Sequence, residues 1–147
     1  MIFLDECIPR DLAKRISGLL VDRPEAPIVK HLLDLYAQGI DDRTWAQLAK
    51  DNHWLPISAD RGQSNRGEKL PRLFKELGLV NVSLSAKVHL LPARDKVLAI
   101  GACWLQIVDA WQNQIGCTHS LRFTDNGQGF RLVDVEKQNR KKTHPLE

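Results

Sequence analysis

The chain has 147 residues, 43% of them hydrophobic and 27% charged, with a formal net charge of +3. This length suits one domain with a real core and is short for two, and the hydrophobic fraction excludes an intrinsically disordered chain. Its three cysteines, Cys7, Cys103 and Cys117, lack zinc-type spacing. Their odd number argues against a disulfide framework and sets the expectation of a reducing, cytoplasmic setting. No run approaches the roughly 18 apolar residues of a membrane span. The N-terminus lacks a basic stretch followed by an apolar one, so neither export nor membrane insertion is expected.

Ile2-Phe3-Leu4 is an apolar run too short for a helix. It stops on Asp5-Glu6, as a strand buried on both faces of a parallel sheet does. Behind Pro9, a residue suited to a first helical turn, Leu12, Ile16, Leu19 and Leu20 recur at helical spacing. The Pro-containing stretch 22–27 ends that helix, and residues 28–33 read as a second strand. Gly39 marks a loop. Residues 42–52 predict a helix with Trp45, Leu48 and Ala49 on one face and an acid in its first turn, where the helix dipole favours negative charge. Residues 53–58 give a third strand leading to Asp60. Pro56, which donates no ladder bond, predicts an edge or irregular position for it.

A polar loop, 61–68, precedes a short helix at 69–77 that Gly78 closes, followed by a strand at 80–84. Residues 95–115 keep helical spacing for about five turns through Val97, Ile100, Trp104, Ile107, Val108, Trp111 and Ile115, and read as one core helix. A hairpin follows: residues 121–124, a turn at Asp125-Asn126-Gly127, and residues 130–135. The domain is therefore placed at 1–135. A basic tail at 136–147 carries Lys137, Arg140, Lys141 and Lys142; such a run suits phosphate contact but is also the usual composition of a solvated terminus.

Alternating strands and helices imply a mainly parallel sheet flanked by helices. Sites on such sheets form beyond the carboxyl ends of strands. Asp5 after the first strand and Asp60 after the third are thus placed to converge, and Asp42 begins a helix whose N-terminus can face the same edge. Clustered carboxylates repel unless a cation neutralises them. Hard oxygen donors suit Mg²⁺ or Mn²⁺. Taken singly, each acid has an ordinary explanation as a cap or a solubilising loop residue; the joint arrangement is what points to a metal.

The segments Met1-Ile2-Phe3-Leu4-Asp5-Glu6, Gly39-Ile40-Asp41-Asp42-Arg43-Thr44-Trp45 and Ile57-Ser58-Ala59-Asp60-Arg61 together resemble the PIN-like superfamily, particularly small prokaryotic PIN-like proteins related to VapC-type toxins. The likeness is close over about 1–65 and looser beyond. It implies a Rossmann-like three-layer α/β/α fold and metal-dependent RNA cleavage by an activated water. An antitoxin is the implied partner, and the copy number is left open, a homodimer included. The three family acids correspond to Asp5, Asp42 and, in the Ser-x-Asp motif, Asp60. The fourth acid of such sites has no clear counterpart, and Glu6, Asp41 or a residue beyond Asp60 is the substitute at hand.

On this reading Asp5, Asp42 and Asp60 hold the cation and Ser58, Arg61 and Arg66 contact substrate. The alternative is a noncatalytic PIN-like module binding nucleic acid or a protein. A nucleotide-binding regulatory domain lacks support, since neither a G-x-G-x-x-G nor a phosphate-loop lysine motif is present. Arg10, Lys14 and Arg15 read as the solvated side of the first helix. Trp45, Trp54, Trp104 and Trp111 read as core, and His31, His53, His89 and His119 make no catalytic pairing with Cys7.

Overall fold

The computed structural model describes residues 1–4, 8–20, 28–35, 41–59 and 70–137. The sequence readings at Asp5, Glu6, Cys7, 22–27, Gly39, Asp60, 61–68 and the tail from 138 lie outside the described residues. In chain order the elements are β1 (Ile2–Leu4), α1 (Leu12–Leu20), β2 (Val29–His31), α2 (Leu32–Leu35), α3 (Asp42–Asp51), β3 (Leu55–Ala59), α4 (Leu70–Leu77) and β4 (Asn81–Leu84). There follow α5 (Ala86–His89), α6 (Ala93–Ala102), α7 (Trp104–Gln112), β5 (Thr118–Phe123) and β6 (Phe130–Asp134). Among these, no helix is long and apolar enough to cross a membrane.

One six-stranded sheet runs in the order β2-β1-β3-β4-β5-β6. Strands β1 to β5 are parallel to their neighbours, and β6 turns back antiparallel on β5. Side chains alternate between the two faces of a strand. On one face Ile2, Leu4, Leu55, Ile57, Val82, Leu84 and Leu121 join the apolar stripes of α1, α6 and α7 in the larger core. Burying each such side chain contributes about 1.5–3 kcal/mol. On the other face, α3 and α4 build a smaller cluster around Trp45, Ala46, Ala49, Leu73 and Phe74, with the Trp45 and Phe74 rings edge-on at 5.7 Å. Helices on both faces of a mainly parallel sheet make the three-layer α/β/α arrangement expected from the alternation of elements.

The end of α4 follows from Gly78, whose φ of +64° is the left-handed conformation that favours glycine. Gly78 N–H donates to Lys75 O and Leu79 N–H to Phe74 O, the paired bonds of a Schellman cap. At Gly101 a Cβ atom would lie 2.5 Å from Leu19 Cδ2, so a larger residue there would require the Leu19 side chain to turn aside.

Three sequence readings are corrected. The helix at 95–115 is two helices, broken at Cys103 (φ −103°, ψ 10°) and ending at Gln112. The apolar stripe passes through the bend without losing its spacing, so periodicity alone could not reveal it. The second strand is only Val29–His31, because Leu32 already begins α2. Pro56 lies in an interior strand between β1 and β4, not at an edge. Leu55 N–H points to β1, where it donates to Met1 O, so the nitrogen of Pro56 faces β4. The β3–β4 register begins one residue later, at Ile57 and Val82. The missing N–H therefore falls where the ladder has not started.

Candidate functional site

From β1 the chain crosses to β2 on one side of the sheet, and it later returns to place β3 on the other side of β1. This reversal of strand order is the switch point at which open α/β sheets form a crevice beyond the carboxyl ends of their strands. In register, Leu4 of β1 pairs with His31 of β2 and with Ile57 of β3. The sequence continues from Leu4 into Asp5 and from Ala59 into Asp60. The two acids themselves, with Glu6, Arg61 and Arg66, lie outside the described residues, so their mutual distances are not part of the geometry.

What surrounds that edge is well defined. His31 is buried at 1% exposure. Its Nδ1 accepts from Leu33 N–H at 3.1 Å and its Nε2 lies 2.7 Å from Ile8 O. An amide N–H only donates and a carbonyl only accepts, so the ring is the neutral Nε2–H tautomer, and it ties the chain beyond β1 to the start of α2. The same two regions are joined by Arg10 Nε donating to Asp34 Oδ1 at 2.6 Å. That hydrogen bond holds the Asp34 carboxyl below its ordinary value of 3.8.

Helix α3 ends beside the amino ends of the strands, with Trp54 N–H bonded to Ala49 O and Leu55 N–H to Met1 O. Ten residues at about 1.5 Å each carry its N-terminus roughly 15 Å back toward the carboxyl edge. Here Asp41 and Asp42 divide the work. Asp41 is the N-cap, its Oδ2 accepting from the N–H and the hydroxyl of Thr44, both at 3.3 Å. Asp42 is half-buried in the first turn, and its Oδ1 accepts from Trp45 Nε1 at 3.0 Å. Its other oxygen makes no hydrogen bond among the described residues. As a hard, acceptor-only oxygen it has the chemistry of a Mg²⁺ or Mn²⁺ donor, whereas Asp41 is committed to its cap. Among the described residues no group of three or more His, Cys, Asp or Glu side chains is arranged to hold a metal ion.

Ser58 is 4% exposed on the face opposite the large core. Register places it directly beside Ser83 of β4, and Ser83 beside Ser120 of β5. Both neighbours are also buried. The row of three hydroxyls ends at Arg122, half-buried on the same face, which donates Nε–H to Ser120 Oγ at 3.2 Å. Two residues earlier on the same face, Asn81 Nδ2 is shared among Leu79 O, Cys117 O and Thr118 Oγ1. Apart from Ser58, sequence reasoning missed this row. The available signal was the alternation Asn81-Val82-Ser83-Leu84 and Thr118-His119-Ser120-Leu121, since strands covered on both faces usually read as continuous apolar runs.

Other candidates settle as structure. Trp45 and Trp104 are fully buried, and Trp111 donates Nε1–H to His53 O at 3.0 Å. Burial pushes the Cys103 and Cys117 thiols above their ordinary value, with nearby Glu136 adding to the rise at Cys117. Both therefore stay in the unreactive protonated form at neutral pH.

Comparison with known proteins adds one finding. No curated protein and no solved structure matches the chain. A family model described as a PIN-like domain matches residues 1–86, more than half of the 147 and the whole span from β1 through β4. The match takes in both strands of the switch point, the start of α3 and the Ser58-Ala59-Asp60 motif, and the chain belongs to the PIN-like domain family.

Proposed function

We propose that this chain is a metal-dependent endoribonuclease, the toxin of a toxin–antitoxin pair with an antitoxin protein as partner. The observation that carries the reading is the topology. Adjacent parallel strands β1 and β3 end at one edge, at the point where strand order reverses, and the sequence runs from both into aspartate. Membership of a family with a nuclease-type fold supports it.

On this reading Asp5, Asp42 and Asp60 hold Mg²⁺ or Mn²⁺, with Glu6 as the further oxygen donor. Asp41 is the weaker candidate because its carboxylate caps α3. When bound, such a cation supplies Lewis acidity toward water and toward a phosphoryl oxygen. The chain supplies the rest. Trp45 fixes the rotamer of Asp42 through the indole hydrogen bond, and the His31 and Arg10–Asp34 contacts restrain the chain just past Asp5. Ser58 offers a hydroxyl to a water or a phosphate oxygen. Arg61 and Arg66 are the cations proposed to meet charge developing on the phosphoryl group.

A second reading is favoured by one observation. Strand β4 carries no acid at its carboxyl end; Ser85 stands there and caps α5, accepting from Val88 N–H at 3.3 Å. An incomplete acidic set fits a noncatalytic PIN-like module that only binds nucleic acid or protein. One experiment separates the two. Purified protein is incubated with mixed RNA, with and without Mn²⁺ and a chelator, alongside Asp5→Asn, Asp42→Asn and Asp60→Asn. The ribonuclease cleaves only with metal and loses cleavage in all three folded variants. Cleavage that ignores the chelator would falsify the mechanism, and RNA binding without cleavage by the wild type supports the module.

A further inference from the structure

Helices α6 and α7 turn one side to the large core and the other to solvent. Val97, Ile100, Cys103, Trp104, Ile107 and Val108 are buried on the first side. Arg94, Leu98, Ala102, Leu105 and Asp109 are exposed along the other, each a neighbour of the next on one helical stripe. The stripe passes the break at Cys103 without interruption. Its leucines are open to solvent, Leu98 at 49% and Leu105 at 68% exposure. Leu19 of α1, 41% exposed, joins them from the side, since its Cδ2 lies 2.5 Å from where a Cβ at Gly101 would be. Singly exposed leucines need no explanation, but three gathered around the small residues Gly101 and Ala102 form a shared apolar patch, the mark of an interaction surface.

The order of residues along the stripe says what covers it. Leu98 and Leu105 lie equally far to either side of the Gly101–Ala102 bond, and so do Arg94 and Asp109. Reversing the stripe therefore sets leucine on leucine and opposite charges on each other. A twofold axis crossing the helix at that bond performs this reversal, because in an isologous interface residue i meets j while j meets i. Each Arg94 then faces the Asp109 of the other copy, and the charge pair forms twice. With the axis along the helix, Arg94 would face Arg94 and Asp109 would face Asp109, so charge selects the antiparallel arrangement. Both groups are open to such a partner: among the described residues Asp109 Oδ1 accepts only from Asn113 Nδ2, one turn away at 2.8 Å, and Arg94 makes no ion pair.

We propose that two copies of this chain associate through this face, α6–α7 packing antiparallel against its counterpart, with Leu19, Leu98 and Leu105 at the centre and an Arg94–Asp109 pair at either end. Helix α6 begins after β4 and α5, at the carboxyl edge of the sheet, and α7 leads to the start of β5 at the amino edge. Antiparallel association accordingly points the two carboxyl edges in opposite directions. The interface needs neither metal nor RNA and is independent of the ribonuclease reading.

The test is sedimentation equilibrium of the full chain over roughly 1–300 µM, the range in which a small interface dissociates. It compares the wild type with Leu105→Glu, Arg94→Asp, Asp109→Arg and the double variant Arg94→Asp/Asp109→Arg. Thermal melts by circular dichroism establish that each variant folds, as substitutions at exposed positions allow. The wild type is expected to pass from monomer to dimer within this range. Leu105→Glu buries two unpaired carboxylates in the apolar patch and should raise the dimer Kd about a hundredfold. Each single charge reversal turns two attractive pairs into two repulsive ones and should raise Kd about tenfold. The double variant exchanges the partners and restores both pairs, so its Kd should return to within about threefold of wild type.

A wild type that stays monomeric throughout would overturn the proposal, as would a dimer indifferent to Leu105→Glu. A dimer that the single reversals leave unchanged, or that the double reversal fails to restore, would overturn the antiparallel register and the proposal with it. Restoration is the result peculiar to this register, since separate structural effects of the two substitutions would add in the double variant instead of cancelling. Cleavage of RNA with Mn²⁺ tests the ribonuclease reading separately, and neither result there bears on the dimer.

Discussion

The two faces of the sheet are built from the same strands and could hardly differ more. In β3, Ile57 turns into the larger core at zero exposure, while the next residue, Ser58, turns to the opposite face and is almost as buried. In β4 and β5 the same alternation sets Val82, Leu84 and Leu121 against Asn81, Ser83, Thr118 and Ser120. Apolar burial on the first face is sufficient to hold the sheet. Buried hydroxyls on the second contribute little to stability, because a hydrogen bond exchanged with water nets only about 1 kcal/mol and an unmade one nets less. The contrast teaches that burial by itself does not mark an apolar core.

Substitutions on the two faces, and at two helix positions, sharpen that contrast. Ile57→Ala should lose about 2–5 kcal/mol in urea unfolding, the usual cost of a cavity in a packed core; a loss under 1 kcal/mol would mean the faces are energetically alike. Asp41→Ala, which removes the cap of α3 on the second face, should cost about 1 kcal/mol in the same assay. Asp34→Asn should have a smaller effect, bounded by pH. The Asp34 carboxyl titrates below its ordinary 3.8 in the folded state, so its ionised form stabilises the protein above that pH and the contribution disappears as pH falls through the lowered value. The wild type should therefore unfold at a higher temperature than the variant at neutral pH, and the gap should close in acid. A gap independent of pH would exclude the Arg10 contact as its cause. Ser58→Ala should leave stability unchanged or slightly raised, since it deletes a hydroxyl without a described partner. The same variant should slow RNA cleavage; a fall in stability as large as that of Ile57→Ala would erase the distinction.

Much of the architecture was legible in the residues because it rests on local signals. The apolar run at 2–4, the helical spacing behind Pro9, the acid-first helix at 42 and Gly78 as a terminator each carry their own cause, and each appears where expected. The bend at Cys103 was not legible, since the stripe Val97, Ile100, Trp104, Ile107 satisfies one straight helix as well as two. Pro56 misled because its tolerance depends on where the ladder to β4 begins, a tertiary fact. Of the site, Asp42 and Ser58 stand on elements facing the expected edge. The contrast between Asp41 and Asp42 needed side-chain geometry, because capping and metal binding draw on the same residue type at adjacent positions.

The family match closes at residue 86, on the first residue of α5. That boundary of shared ancestry is not a seam in the folded body. Val97, Ile100, Trp104 and Ile107, all past it, roof the very strands that the match includes, and Leu121 of β5 continues the same apolar face. A fragment cut there would bare the apolar side of β1, β3 and β4 and turn β4 into a raw, unpaired margin open to association with other chains. What lineage preserves as a recognisable signature and what physics requires as a self-sufficient unit are, in this molecule, two different lengths of chain.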